Sequence, residues 1–359
     1  MLAWHEKVYE MEHRCLPLKE MNALLPVLKT LEETKWLAEV IALSLQMAVK
    51  DLDTAYDRFF SKVSNKPKFK SKNDRQCFKV AQNFKLEAGK LWIPKLGSWI
   101  KVNISREITG KIIFLHISKS ATGKYYVSFT VAGEKQTFEK TGKQTGADLG
   151  IRDAVILADG TKYENIKSLD KLIKKLKYEQ RQLSKKQKGS NSRQRQRRKI
   201  ARLHERITSL RNDHIAKMTT EIVKNHDLIA VEDLAVKNMI RNHHLAKSLA
   251  DVSLGRIRTQ LKYKSQWHDR TFVMVGRFYA SSKICSACDW KKEDLTLSDR
   301  SWICPACGTH HDRDVNAARN ILREGLKIMS ECGMHPDKKQ KQEEASSMEE
   351  SMNPEELMR

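Results

Sequence analysis

Four cysteines and three carboxylates are the residues of this sequence whose types and spacing suit chemistry. Cys285 and Cys288 make one C-x-x-C pair and Cys304 and Cys307 a second, with fifteen residues between the pairs. Two such knuckles bring four thiolates to one tetrahedral zinc at Zn–S distances of ~2.3 Å. Four sulfur ligands leave no open position for water, so this centre is expected to be structural. His310 and His311 stand nearby as alternative ligands, but the four cysteines already complete the set. Cys15, Cys77 and Cys332 are scattered and read as ordinary thiols.

The carboxylates are informative only as a set. Asp148 ends an apolar stretch in GADLG, Glu232 closes the run LIAV, and Asp314 lies in DRDVNAA at the start of an expected helix. A carboxylate beside a buried strand is costly unless it is paired or binds a metal. Phosphodiester hydrolysis gives three such acids a use: hard oxygen ligands hold Mg²⁺, and two ions about 3.5–4 Å apart activate water and stabilise the leaving oxygen. Taken singly, each acid has a plainer explanation, and Asp314 in particular suits an N-cap.

The elements that position these residues follow from hydrophobic period. Up to Phe60 the pattern is helical, with Leu37, Ile41, Leu45, Ala48, Leu52, Ala55 and Phe59 predicting one apolar face of a long helix. Pro67 and a cluster of lysines end it. Over residues 76 to 135 the period becomes two: Ile100, Val102 and Ile104, then Ile113, Leu115 and Ile117, then Tyr125, Val127, Phe129 and Val131, punctuated by glycines at 89, 97, 110 and 123. This predicts a small antiparallel β domain, barrel-like in form. After Thr145 a strand through GADLG pairs with a second from Ala154 to Ala158, which turns at Asp159 and Gly160. A helical hairpin from about Ser168 to Asn225 is broken at KGSNS. There follow a buried strand, Leu228 to Val231, a helix running to about His268, the strand TFVMV, the cysteine pairs and a last helix from about Val315 to Met329. Strands alternating with helices make the fold class α/β.

Charge narrows the partners. Lys and Arg number 67 against 44 Asp and Glu, a net charge of +23 with a pI near 9.7, so the summed field attracts polyanions. Basic ribosome-associated proteins and membrane-surface proteins share that balance. Between residues 171 and 211, however, sixteen Lys and Arg face only two Glu. A solvated helical face is the plain reading of such a run, yet so one-sided a field favours phosphate contact, here through Lys174, Lys175, Lys185, Lys186, Lys188, Arg195, Arg197, Arg198 and Arg202. The start of the chain has no apolar signal core, and the stretch from Leu37 to Val49 is too short and too polar to span a membrane. A soluble, cytosolic protein is expected. The residues beyond Gly333 are rich in Lys, Gln, Glu and Ser and are expected to be a disordered tail.

Together, GADLG, the basic hairpin with QLSKKQKGS, IAVEDLAVKNM, NHHLAKSLADVSLG, SSKICSAC and LTLSDRSWICPACGTHHDRDVNAARNIL resemble the TnpB (OrfB) family of transposon-encoded RNA-guided nucleases. The resemblance runs from about Leu16 to Leu326. It implies a RuvC-like, RNase H-type core whose catalytic, magnesium-binding acids are Asp148, Glu232 and Asp314, with a zinc ribbon that loads the target strand. It implies a truncated helical recognition lobe over 1–66, a β-rich wedge domain over 67–142 and the nuclease core with its basic hairpin over 143–280. The ribbon would occupy 281–311, the final core segment 312–332 and the tail 333–359. The implied partners are a guide noncoding RNA and double-stranded target DNA, bound by a monomeric ribonucleoprotein that reads a short motif beside its target. Family members usually carry a β-strand before the segment that begins MLAWHEKVYE, so an N-terminal truncation is expected. Ala147, Ala280 and Asp289 depart from the family pattern, and Asp289 stands where a knuckle glycine is usual. A non-cutting RNA-guided regulator and a transposase proper are the alternative readings.

Overall fold

The computed structural model describes residues 1–71, 74–133, 137–166, 169–234, 253–296 and 299–331. The expected tail, Cys332 and the segment 235–252 lie outside the described residues. The chain divides into two compact units, Met1–Glu134 and Lys135–Arg359.

In the first unit, α1 (Leu2–Glu12), α2 (Leu18–Leu28) and α3 (Ala42–Phe60) pack around Val8, Leu16, Met21, Leu25 and Val49. The long helix expected from Leu37 onward is corrected here. Glu32–Glu39 forms a 3₁₀ helix, Val40 and Ile41 are extended, and α3 begins only at Ala42. Two β-branched residues in succession resist the helical rotamer restriction and let the chain turn. The stripe that α3 turns inward is Leu45, Val49, Leu52 and Tyr56, with Ala48 exposed. Ile41 instead packs against the β strands, and the Ser44 hydroxyl donates to the Lys79 carbonyl at 2.6 Å.

Those strands are β1 (Gln76–Val80), β2 (Lys85–Glu87), β3 (Lys90–Trp92), β4 (Trp99–Lys101), β5 (Lys111–Lys119) and β6 (Tyr125–Ala132). They form two antiparallel sheets, β1-β5-β6 and β2-β3-β4, over a shared core of Val80, Leu91, Ile93 and Leu115. Among the described residues no ladder closes them into the expected barrel. A bulge between Ile112 and Phe114 turns Ile113 outward, so the alternation expected through that residue breaks there.

The second unit is built on a five-stranded mixed sheet: β7 (Gln144–Asp148), β8 (Asp153–Leu157), β9 (Lys162–Glu164), β10 (Leu228–Glu232) and β11 (Thr271–Val275), in the order β9-β8-β7-β10-β11. β7, β8 and β9 pair antiparallel, and β10 runs parallel to both β7 and β11. Helices α4 (Leu169–Ser184) and α5 (Asn191–Asn225) form the expected hairpin. Alternate residues of the buried strands face opposite ways. Ile229 and Val231 join Ile215, Ile222 and Ile257 on the side of α5 and α6 (Leu254–Trp267). Leu228 and Ala230 join Ile321 and Met329 on the side of α7 (Arg313–Glu331). A short ladder, β12 (Ser301–Ile303) with β13 (His310–Asp312), belongs to the cysteine module. Among the described residues no helix is long and apolar enough to cross a membrane.

Candidate functional site

Register brings the first two acids together. Val231 of β10 lies beside Ala147 of β7 in a parallel pair, so Glu232 and Asp148, one residue on, close adjacent strands at the same level, with strand axes ~4.8 Å apart. The third acid arrives on α7, which lies on the same face. A Cβ added to Gly146 would meet the Ala318 carbonyl oxygen at 2.0 Å, and one added to Gly325 would meet Ala230 Cβ at 2.6 Å. Residues 146 and 148 share a face of β7. The helix start comes near enough to the end of β7 for the Asp314 charge to act on Asp148.

Electrostatics agrees with that placement. Burial first, then the charges of Asp314 and Glu232, push the Asp148 carboxyl up to about 7, against a smaller opposing pull from Arg313. Burial also raises Glu232, to whose carboxylate the Ser281 hydroxyl donates at 3.5 Å. Arg313 Nη2 pairs with Asp314 at 3.0 Å, and Arg300 stands 3.9 Å away. The plainer reading of Asp314 as a helix cap does not hold. Asp312 caps α7, accepting from the backbone N–H of Asp314 and Val315 at 3.0 and 3.2 Å. Burial raises Asp148 and Glu232, and the charge of Asp314 acts on Asp148, so the three carboxylates offer hard oxygen donors of the kind a divalent cation takes.

The sulfur site is drawn tighter. Among the described residues, Cys285, Cys288, Cys304 and Cys307 form the one group of metal-ligating side chains whose donor atoms all lie within 4.8 Å of one another. Sulfur atoms sit 3.7 Å apart for Cys285 and Cys307 and 3.5 Å apart for Cys288 and Cys304. A tetrahedron with 2.3 Å bonds has an edge of about 3.8 Å, so the set fits zinc. His311 is not a fifth member of that group: buried against Trp302, it places Nε2 3.0 Å from Cys285 Sγ, as a partner of the thiolate. Asp289 and Gly308 follow the two knuckles and both adopt positive φ, 64° and 70°. The usual glycine is thus replaced at a left-handed position, where Asp is among the better-tolerated residues. The Asp289 carboxylate also pairs with Arg323 of α7 at 2.5 Å.

Sequence reasoning missed how the two sites are joined. Asn316 and Asn320, both buried on α7, donate to the Ile284 carbonyl at 2.7 and 2.6 Å, and Asn320 also donates to that of Ser281 at 2.7 Å. The Ser286 N–H donates back to Asn316 at 2.9 Å. One helix thus carries Asp314 at its start and grips the base of the first knuckle within its first two turns. The signal was available as two asparagines four apart on the apolar face of VNAARNIL.

The basic hairpin presents its charge outward. Eight of the nine residues expected to contact phosphate are exposed; Lys186 is half-buried, with Nζ 2.9 Å from Ser192 Oγ. Among the described residues none of the nine forms an ion pair. The hairpin is held instead by Ile200, Leu203 and Ile207, by Gln196 and Lys199 on the buried Glu179 at 2.7 Å each, and by Arg193 on the Leu183 and Lys186 carbonyls at the end of α4.

Fold and site together define a mixed α/β protein with acids gathered at the ends of parallel strands and a four-cysteine metal-binding module packed beside them. The chain belongs to the TnpB/OrfB family of IS605-type transposons. The model of that family, described as "Probable transposase", matches residues 127–243, and a "Cas12f1-like, TNB domain" matches residues 255–321. Two relatives carry the description "Putative RNA-guided DNA endonuclease". One, from Streptomyces pristinaespiralis, is 35% identical over 326 residues, covering 90% of this chain and 81% of that protein. The other, InsQ of Escherichia coli K12, is 34% identical over 350 residues, covering 92% and 86%. In three dimensions the chain is similar to Cas12f1 as solved by cryo-electron microscopy with sgRNA and target DNA, with a TM-score of 0.56 at 13% identity over 89% of this chain and 78% of that one.

Proposed function

We propose that this protein is an RNA-guided, metal-dependent DNA endonuclease encoded by a transposon, and that Asp148, Glu232 and Asp314 are its catalytic acids. The observation that carries the reading is the convergence of these acids: two on adjacent parallel strand ends, one on a helix clamped across the same face, with Asp148 raised to about 7 by burial and by the other two. An antiparallel three-stranded meander extended by two parallel strands, with acids on the first and fourth, supports a RuvC-like, RNase H-type core. The descriptions of the two relatives and the likeness to a protein solved with guide and target support the partners.

The three acids would hold Mg²⁺, which supplies activation of water and stabilisation of the leaving oxygen. Ser281 fixes the Glu232 carboxylate, Arg313 does the same for Asp314, and the capping by Asp312 leaves Asp314 free to turn to the site. The ribbon, gripped by Asn316 and Asn320, is held at a set distance from the acids for as long as its zinc keeps the knuckles folded. Exposed cations of the hairpin offer contacts to the phosphates of the guide RNA. By extension the helices of the first unit serve as a recognition lobe and its β sheets as a wedge.

The test is reconstitution with the noncoding RNA of the transposon end. The expected result is that the complex cuts matched double-stranded DNA in Mg²⁺ and that exchanging the guide segment moves the cut to the newly matched site. Binding without cutting would give the regulator reading, strand-transfer products the transposase reading, and a cut indifferent to the guide would overturn RNA guidance.

A further inference from the structure

Phe278 is 95% exposed, more than any other large apolar side chain among the described residues. Leaving a phenylalanine in water forgoes the burial that most such residues gain. A mobile loop would make that unremarkable, but the turn bearing Phe278 is tied at both ends to the acid site. It follows β11, whose last residue, Val275, lies beside Glu232 and accepts from the Asp233 N–H at 3.0 Å. On one side of Phe278, Arg277 reaches back to Asp233, with Nη2 on the carboxylate at 2.7 Å and Nε on the carbonyl at 3.3 Å. On the other side, Tyr279 packs into the core under α7, its N–H bonded to the Gly276 carbonyl at 3.1 Å. Ser281, buried, touches Glu232 and is held by Asn320. The ring is therefore offered to solvent at a fixed place, three residues from a contact with Glu232.

Charge says what fits there. Asp233 gathers Arg258 as well as Arg277, and both guanidiniums keep exposed surface and unused N–H donors. An exposed aromatic ring on a turn anchored beside two cations offers what single-stranded nucleic acid uses, base on ring and phosphate on guanidinium. A base inside a duplex has both faces stacked, so only an unpaired one can use the ring. We infer that Phe278 is a stacking platform for an unpaired base of the DNA strand presented to the carboxylates, with Arg277 and Arg258 beside the adjoining phosphates. This rests on the nuclease reading above and deepens it: the strand enters the site unpaired and is registered by a base as well as by its backbone.

Two readouts separate the two claims. In single-turnover cutting by the full chain with its guide RNA, Phe278→Ala should slow cleavage of matched DNA by roughly five- to a hundredfold, the span one stacked base covers. Phe278→Trp, which keeps an aromatic face, should restore it, and melting temperature should not change, because the ring is in solvent. Independently of cutting, near-ultraviolet irradiation of the full chain on a DNA single strand carrying 5-iodouracil should crosslink the peptide containing residue 278. That crosslink should vanish in Phe278→Ala while gel-shift binding persists. Equal cutting by wild type and Phe278→Ala, or a bound strand with no crosslink at 278, would overturn the stacking inference and leave the nuclease reading standing. A crosslink at 278 in a protein that never cuts would do the reverse.

Discussion

Asp148 is buried beside two other acids, and its behaviour with pH follows from that. Its carboxyl is raised from an ordinary 3.8 to about 7 in the folded chain, so the native state holds a proton that the unfolded state releases. The stability this confers is full below about pH 4 and is lost as pH rises towards 7. Without divalent metal, thermal stability should fall across that window, and Asp148→Asn should reduce the fall, leaving the part that the raised Glu232 contributes, and raise the melting temperature at pH 8. Calorimetry on the metal-free chain checks both. With metal the sign reverses: cation affinity should climb over the same window as the proton is displaced. Asp148 and Glu232 were legible because each ends an apolar run, where a charge is costly without a purpose, and Asp314 because it opens an expected helix beside the cysteine pairs. What Asn316 and Asn320 grip was not, since their partners are carbonyls some thirty residues away that only the folded chain brings within reach, and Asp312 as the cap was passed over for Asp314 two residues on.

Among the elements, α7 does the most positioning, and it does so by the absence of side chains. Gly146 and Gly325 let the helix backbone lie almost against β7 and β10, which fixes where Asp314 stands relative to Asp148. Gly146→Ala should cost ~3 kcal/mol in denaturant unfolding, at the upper end of overpacking, because the obstacle is a backbone carbonyl and cannot rotate away. The same change should lower cutting by more than the lost stability explains. Period alone found β7, β8, β10, β11, the hairpin and α7. It misplaced the inward stripe of α3 and missed the bulge at Ile113, because a 3₁₀ turn and an extra strand residue each shift the phase without changing residue type. β9, three residues long, was too short to show a period.

At the scale of the whole molecule, +23 is the property most easily read from the sequence and least specific in what it says. The structure sharpens it by showing that eight of the nine hairpin cations expected to contact phosphate are exposed and that, among the described residues, none of the nine is ion-paired. Replacing Lys185, Lys186 and Lys188 together by glutamine should weaken RNA binding and flatten the dependence of log affinity on log salt by about 2 units, near the ~0.7 expected for each phosphate contact to a single strand. An unchanged salt slope would place the RNA elsewhere. Whether Asp148, Glu232 and Asp314 cut DNA under RNA guidance is read most directly from cleavage beside binding for Asp148→Asn in the reconstituted ribonucleoprotein with Mg²⁺. Wild type should cut matched DNA, whereas the variant should bind it with the same affinity and leave it whole. Cutting by the variant at the wild-type rate would show that these acids do not do the chemistry.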